Sequence, residues 1–290
     1  MSVINTNVKS LQAQNALTVN NRSLSKAMEQ LSTGKRINTA ADDAAGLAIS
    51  NKMTAQVRGL NQAVRNANDG ISMIQTAEGA TQEITNMLQR MRELAVQAAN
   101  DTNTADDRGS LDAEFKQLSE EINRIAEMSQ FNTKGVLDGK AGGSAAAASK
   151  DLKFHVGANK DQVITVTFKN MTTDATNGTL KDVKWSGAAT KFNIKTQTDA
   201  NTAINTIDGA IKKVDEFRAD LGAKINRLTY AADNLTNVSQ NTSASRSRIL
   251  DADYAQATTE LARTQIIQQA ATAMLAQANQ QPQSVLSLLR

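Results

Sequence analysis

The stretch LNQAVRNANDGISMIQTAEGATQEITNMLQRMRELAVQA, residues 60–98, decides the fold. Leu60, Ala67, Ile74, Thr81, Leu88 and Ala95 recur every seven residues, and Ala63, Gly70, Ala77, Ile84, Met91 and Ala98 form a second series. The two series alternate in steps of three and four. That is the seam of a long helix packed lengthwise on others. Small residues at many seam positions let neighbouring helices approach closely. Backwards, Met53, Ile49 and Gln56 extend the pattern towards residue 44.

Composition agrees with long helices. There is 1 proline in 290 residues, where average usage would give about 14. Proline removes a backbone donor and clashes with the preceding turn, so its scarcity leaves helices uninterrupted. Aromatic residues make up only 3%. The core must therefore come from Ala, Leu, Ile, Val and Met.

Outward from the long seam the pattern repeats in kind. Residues 4–33 read as an amphipathic helix, with Leu17, Leu24 and Leu31 seven apart and Ile4 and Leu11 near the same stripe. STGKRINTAADD (32–43) breaks it at Gly34. NDTNTADDRGS (100–110) is a turn, and Thr104 with Asp107 forms a capping pattern. Leu111, Phe115, Leu118, Ile122 and Ile125 then give a shorter helix, antiparallel to its predecessor. Residues 132–150 read as linker.

The period then changes to two. Leu152, Phe154 and Val156, then Ile164, Val166 and Phe168, then Phe192 and Ile194 suggest three strands of a small antiparallel sheet. Helical spacing resumes at Ile204, Ile207, Ile211 and Val214 and runs through Leu221, Ile225, Leu228 and Leu235. NTSASRSRILDADY (241–254) interrupts it. A last amphipathic helix carries Leu261, Ile266, Ile267, Met274, Leu275, Leu286 and Leu289, with Pro282 expected to turn or kink it.

The order is nearly a palindrome. The expected fold is mainly α: an elongated antiparallel coiled-coil or helix bundle formed by both chain ends, with a small β-rich domain inserted in the middle. Residues 1–42 and 246–290 would form a terminal helical domain, 43–140 and 197–245 a helical core domain, and 141–196 an outer domain.

Most chemistry is excluded. With no cysteine there is no disulfide, thiolate metal site or redox motif. The single histidine, His155, sits in a predicted strand without triad partners. GVLDGKA (135–141) has the wrong spacing for a phosphate loop, and Ala141 stands where Ser or Thr is needed. Asp251 with Asp253 supply too few oxygens for calcium, and the adjacent Asp42 and Asp43 would point about 100° apart on a helix, so both pairs read as helix caps. A net charge of +3, without a basic cluster, does not demand nucleic acid. No leader and no membrane span is legible. No enzyme, metal or cofactor is expected.

The apolar stripes at both ends still need burial. Ile266 and Ile267, like Met274 and Leu275, are adjacent and point about 100° apart. That is wider than one seam requires, so contacts on a second side are expected. The polar faces are Gln, Asn, Ser and Thr rather than lysine-rich, which argues against a membrane surface. Another copy of the chain is the simplest partner.

Several long motifs carry a resemblance. MSVINTNVKSLQAQNAL (1–17), LSTGKRINTAADDAAGLAIS (31–50), GISMIQTAEGATQEITNMLQRMRELAVQAAND (70–101), RSRILDADYA (246–255) and LAQANQQPQSVLSLLR (275–290) resemble bacterial flagellins. The resemblance implies a filament subunit for swimming motility, secreted through the flagellum's own type III export channel. It implies assembly through the terminal helices, and Ile4, Leu11, Leu24, Leu31, Leu261, Ile267, Met274, Leu275, Leu286 and Leu289 are the candidate assembly residues. It also implies an export chaperone on the C-terminal helix, filament cap and junction proteins as neighbours, and the innate immune receptor TLR5 as a host partner. Arg90 and Leu94, with Glu114 on the next helix, match the patch that this receptor reads. A hook–filament junction protein, or a cytosolic coiled-coil scaffold, is the alternative.

Overall fold

The computed structural model describes residues 7–140, 147–173, 177–186 and 192–287, apart from the side chains of 281–287. Among them are five α-helices: α1 (Val8–Thr33), α2 (Ala44–Ala98), α3 (Ala105–Met128), α4 (Gln197–Leu250) and α5 (Tyr254–Ser287). Two hairpins lie between α3 and α4: β1 (Gln130–Phe131) with β2 (Lys134–Gly135), and β3 (Ser149–His155) with β4 (Val163–Lys169). The chain divides into two compact units. One is Met1–Val57 with Gln240–Arg290; the other is Arg58–Ser239. Both divisions fall inside helices, α2 and α4, rather than in the loops.

Local chemistry starts α1, α2, α3 and α5. Asn7 accepts from Ser10 N at 3.1 Å, Asp43 from Gly46 N at 2.8 Å, and Asp253 from Ala255 N at 2.9 Å. Thr104 and Asp107 form the expected reciprocal capping box. Gly34, at φ 69°, ends α1 in the left-handed conformation that favours glycine.

In the unit 58–239, α2, α3 and α4 form the core. Arg92 Nε donates to Asp208 at 2.6 Å, Ser239 Oγ donates to Asn61 at 2.8 Å, and Arg90 Nε donates to Glu114 at 3.0 Å. These pairs fix α4 and α3 antiparallel to α2. Every seam residue predicted from Leu60 to Ala98 is buried. Before that the register differs: Ile49 and Gln56 are exposed, while Gly46, Ser50 and Val57 are buried. The buried positions Val57, Leu60 and Ala63 advance by three and three, which shifts the stripe round the helix. A strict heptad extended backwards misses that shift.

The β region departs further from expectation. β3 and β4 pair in antiparallel register, Leu152 opposite Val166 and His155 opposite Val163. The hairpin sits on α2, where Asn66 Nδ2 donates to His155 O at 3.0 Å. The third strand is absent: Phe192 and Ile194 lie in irregular chain. Asp112 on α3 takes their segment instead. Its buried carboxylate accepts from Ile194 N at 3.1 Å and from Trp185 Nε1 at 3.2 and 3.3 Å. Ser119 adds Oγ to Val183 O at 2.9 Å and accepts from Trp185 N at 3.0 Å. Backbone groups satisfied by side chains have no need of a ladder.

Three more corrections concern punctuation. The expected linker opens with the β1–β2 hairpin, and Val136 and Leu137 behind it are buried. The interruption at 241–254 shrinks to residues 251–253, because α4 continues to Leu250. Nothing between 241 and 250 is Gly or Pro, so polarity alone did not stop the helix. The helix α5 also runs through Pro282 to Ser287 without a break. Its missing N–H removes one hydrogen bond near the end of a helix of 34 residues.

Candidate assembly surface

The unit that contains both chain ends pairs α1 with α5 antiparallel. Asn7 Nδ2 donates to Ala278 O at 2.8 Å, Asn20 Nδ2 to Thr264 O at 2.9 Å, and Tyr254 OH to Leu31 O at 3.3 Å. The α1 residues turned inward are Ser10, Ala13, Leu17, Asn20, Leu24, Ala27 and Leu31. On α5 they are Ala257, Leu261, Thr264, Gln268, Ala271, Leu275 and Ala278. The steps of three and four on both helices make this a two-stranded coil. Its register sets Leu24 across from Leu261.

The seam is built of Ala and Leu, interrupted by the polar residues Ser10, Asn20, Thr264 and Gln268. A second set of apolar residues points outward. Val8 is 61% exposed, Leu11 58%, Ile266 66%, Ile267 41% and Met274 65%, with Val19 and Met28 also exposed. So the candidate assembly residues separate into two groups. Leu24, Leu31, Leu261 and Leu275 are half-buried inside the pair. Leu11, Ile267 and Met274 face out. Ile4 and Leu289 lie outside the described residues, as does the side chain of Leu286. Val8, Val19, Met28 and Ile266 are outward apolar residues that the sequence reading did not name as candidates. The series Leu31, Leu24, Leu17 reaches Ser10 rather than Leu11, and that one-residue offset is the available signal.

The outer face is grooved. A cavity of about 660 Å³ is lined by Lys9, Gln12, Ala13, Ala16, Ala271, Met274, Gln277 and Ala278. A second of about 500 Å³ is lined by Gln12, Asn15, Ala16, Val19, Asn20, Ser23, Glu260, Arg263, Thr264 and Ile267.

The same unit ties its two loops together. Arg36 N donates to Leu250 O at 2.7 Å, and Ala252 N donates to Gly34 O at 3.0 Å. Asp42 meets Lys26 Nζ at 2.8 Å. Asp42 also accepts from Asn38 N at 3.2 Å and Thr39 N at 3.0 Å. Lys26 first, then these backbone donors, hold its carboxyl well below the usual carboxylate range.

The receptor-like patch is divided by burial. Arg90 bridges Glu93 and Glu114, both at 3.0 Å, and these partners raise its pKa. Leu94 is 1% exposed and belongs to the core. The expectation that Arg90 and Leu94 offer a joint charged and apolar contact is therefore corrected. Four residues apart, they lie 40° apart on an ideal helix, and here the edge of the buried face runs between them.

Nothing among the described residues suggests metal or membrane. No cluster of His, Asp or Glu is placed to hold an ion. No described helix is long and apolar enough to cross a membrane. His155 is exposed on β3. Asp251 accepts from Ser247 Oγ at 2.6 Å, and Asp253 caps α5.

Comparison with known proteins supplies the deciding observation. The profile of the bacterial flagellin N-terminal helical region matches residues 4–142, and that of the C-terminal helical region matches residues 204–289. The chain belongs to the bacterial flagellin family. A flagellin of Halalkalibacterium halodurans is 48% identical over 288 residues, covering 99% of this chain and 100% of that one. The flagellar filament 33 kDa core protein of Treponema phagedenis is 47% identical over 292 residues, with coverage of 99% and 100%. A crystal structure of Bacillus cereus flagellin is 35% identical and covers 63% of this chain and 94% of that one, with a TM-score of 0.48. The two matched regions hold α1–α3, most of α4 and all of α5. Neither profile reaches the β3–β4 hairpin.

Proposed function

We propose that the chain is a structural subunit that polymerises into the bacterial flagellar filament and serves swimming motility without catalysis. The observation that carries this reading is the outward placement of Leu11, Ile266, Ile267 and Met274, apolar side chains that the α1/α5 seam does not cover. A free two-helix pair leaves that surface in water. Each methylene covered on assembly contributes about 0.8 kcal/mol, less the cost of ordering the ends. Polymerisation through both chain ends removes the exposure.

The finer partners follow from the same surface. An export chaperone would hold α5 by Ile267 and Met274, shielding them before secretion. Filament cap and junction proteins would meet the terminal helices at the ends of the polymer. The polymer itself is an extracellular appendage. A TLR5 contact on this chain would use Arg90 and Glu114, since Leu94 is not at the surface.

The test is seeded polymerisation. Full-length monomer and a chain ending before Val285 are each mixed with sheared filament seeds, then followed by sedimentation and electron microscopy. The full chain is expected to elongate the seeds and the shortened chain to stay soluble. A full chain that remains a discrete oligomer under conditions that elongate seeds refutes the reading.

A further inference from the structure

We infer that Met274 is an oxidation site that switches assembly: a hydroperoxide converts its thioether to the sulfoxide, and the modified chain no longer adds to a filament. This rests on the filament reading above and names a chemical control on the same surface.

The chain has nine methionines, unequally placed. Met73, Met91 and Met171 are buried, and Met53 and Met87 are half-buried. Met1 lies outside the described residues. Met28, Met128 and Met274 are exposed, at 56%, 64% and 65%. Oxidation follows access to the sulfur, so these three react first.

Their surroundings then separate them. Met128 ends α3, and its Sδ accepts from Arg124 Nη1 at 3.3 Å. A sulfoxide there finds a guanidinium donor already beside its new oxygen. Met28, on α1, lines neither cavity of the terminal unit. Met274 lines the cavity of about 660 Å³, together with Ala13, Ala16, Ala271 and Ala278. Among the residues lining that cavity it is the one apolar side chain larger than alanine. From Ala270 to Ala278, a turn on either side of it, α5 carries no charge. Covering this side chain is favourable while it remains apolar.

Oxidation reverses that sign. A sulfur lone pair attacks one oxygen of hydrogen peroxide, and an S–O bond forms as the O–O bond breaks. The transferred hydroxyl passes its proton to the departing hydroxide, which leaves as water. The sulfur loses two electrons and the peroxide gains them. The product is a polar, chiral group in place of a flexible apolar one. Water solvates the new oxygen in the free chain. A neighbouring copy that covers the cavity strips this water. The oxygen is then left among alanine methyls, or it draws on Lys9, Gln12 or Gln277, which leave water in turn. Sulfoxide reductases remove the oxygen again, one enzyme for each epimer, so the block is reversible.

The test is partition within one sample. Full-length monomer is partly oxidised with hydrogen peroxide, freed of peroxide with catalase, mixed with sheared filament seeds and pelleted. Peptide mass mapping reads each methionine in pellet and supernatant. Met274 sulfoxide is expected to be depleted from the pellet by roughly tenfold. Met28 and Met128 sulfoxides should divide equally. Treating the supernatant chains with both reductases should return them to the filament. Met274→Leu removes the oxidisable sulfur at nearly constant volume, and its elongation should not respond to peroxide. Equal Met274 sulfoxide in pellet and supernatant, which needs no variant to measure, overturns the inference and leaves the filament reading standing. So does a Met274→Leu chain that loses elongation to peroxide as fully as the unsubstituted one. Untreated full-length chain that does not elongate seeds removes the filament reading itself, and the inference with it.

Discussion

A Cβ on Gly70 would stand 3.0 Å from the Phe154 ring, so the β3–β4 hairpin rests directly on the backbone of α2. Gly59 plays the same part below it, with Ala158 at 3.2 Å. Glycine inside a helix costs about 1 kcal/mol relative to alanine. Here that cost permits a close approach.

Gly70→Ala should therefore destabilise the protein by about 1 kcal/mol net, the overpacking of Phe154 outweighing the gain in helix propensity. Gly79→Ala is the control. Nothing lies within 4 Å of a Cβ there, and the change should stabilise by about 0.5–1 kcal/mol. Urea unfolding of both variants checks the opposite signs.

Asp112 holds the 183–195 segment through Ile194 N and the Trp185 indole. Lys116 lies 4.7 Å from the Trp185 ring centroid and Lys195 lies 5.7 Å from it. Replacing Asp112 by alanine leaves these donors unpaired, at a cost of about 2–4 kcal/mol. Trp185 is the only tryptophan, so its emission should shift to the red while far-ultraviolet circular dichroism keeps the helical signal.

Thr133, at φ 65°, occupies the left-handed region although it is β-branched. Its neighbour Asn132, at φ 48°, tolerates that region better. Thr133→Gly should relieve the β1–β2 turn and raise stability by about 1 kcal/mol. Thr133→Val should not. Thermal unfolding of the pair reads the difference.

Acid should loosen the 38–42 loop. Asp42 has a pKa lowered from 3.8, so its stabilisation is complete above that unfolded value and is lost as pH falls towards the folded one. Lys26→Gln removes the leading cause and should move the Asp42 carboxyl titration, followed by NMR, back towards 3.8. An unchanged titration would mean that Asn38 and Thr39 alone hold the carboxylate.

The fold was most legible where packing follows one rule for many residues. From Leu60 to Ala98 every position that the alternating steps named is buried, although Met73, Thr85 and Leu94 are buried beside them without being named. The Thr104–Asp107 cap was equally plain, because its residues speak to their own backbone. What escaped depends on distant partners. Phe192 and Ile194 alternate like a strand, but a side chain 82 residues away takes the Ile194 N–H. The polar run 241–250 looks like a break, yet helix continuation needs only the absence of Gly and Pro. On the assembly surface the sequence identified apolar stripes without separating the residues held in the pair from those facing out. That separation turns on a single-residue offset between Ser10 and Leu11. Asn170, an Asn-x-Thr site by sequence, is buried at 1% and accepts from Thr172 N at 3.0 Å, so a folded chain does not present it for glycosylation.

The most direct test is elongation of seeds by Ile267→Asp and Met274→Asp chains. Both side chains are exposed, so each monomer should keep its helical content and unfolding midpoint. Covering a carboxylate in an apolar groove is costly, and elongation should fall to background. Filament growth at the rate of the unsubstituted chain would contradict assembly through this face of the terminal helices.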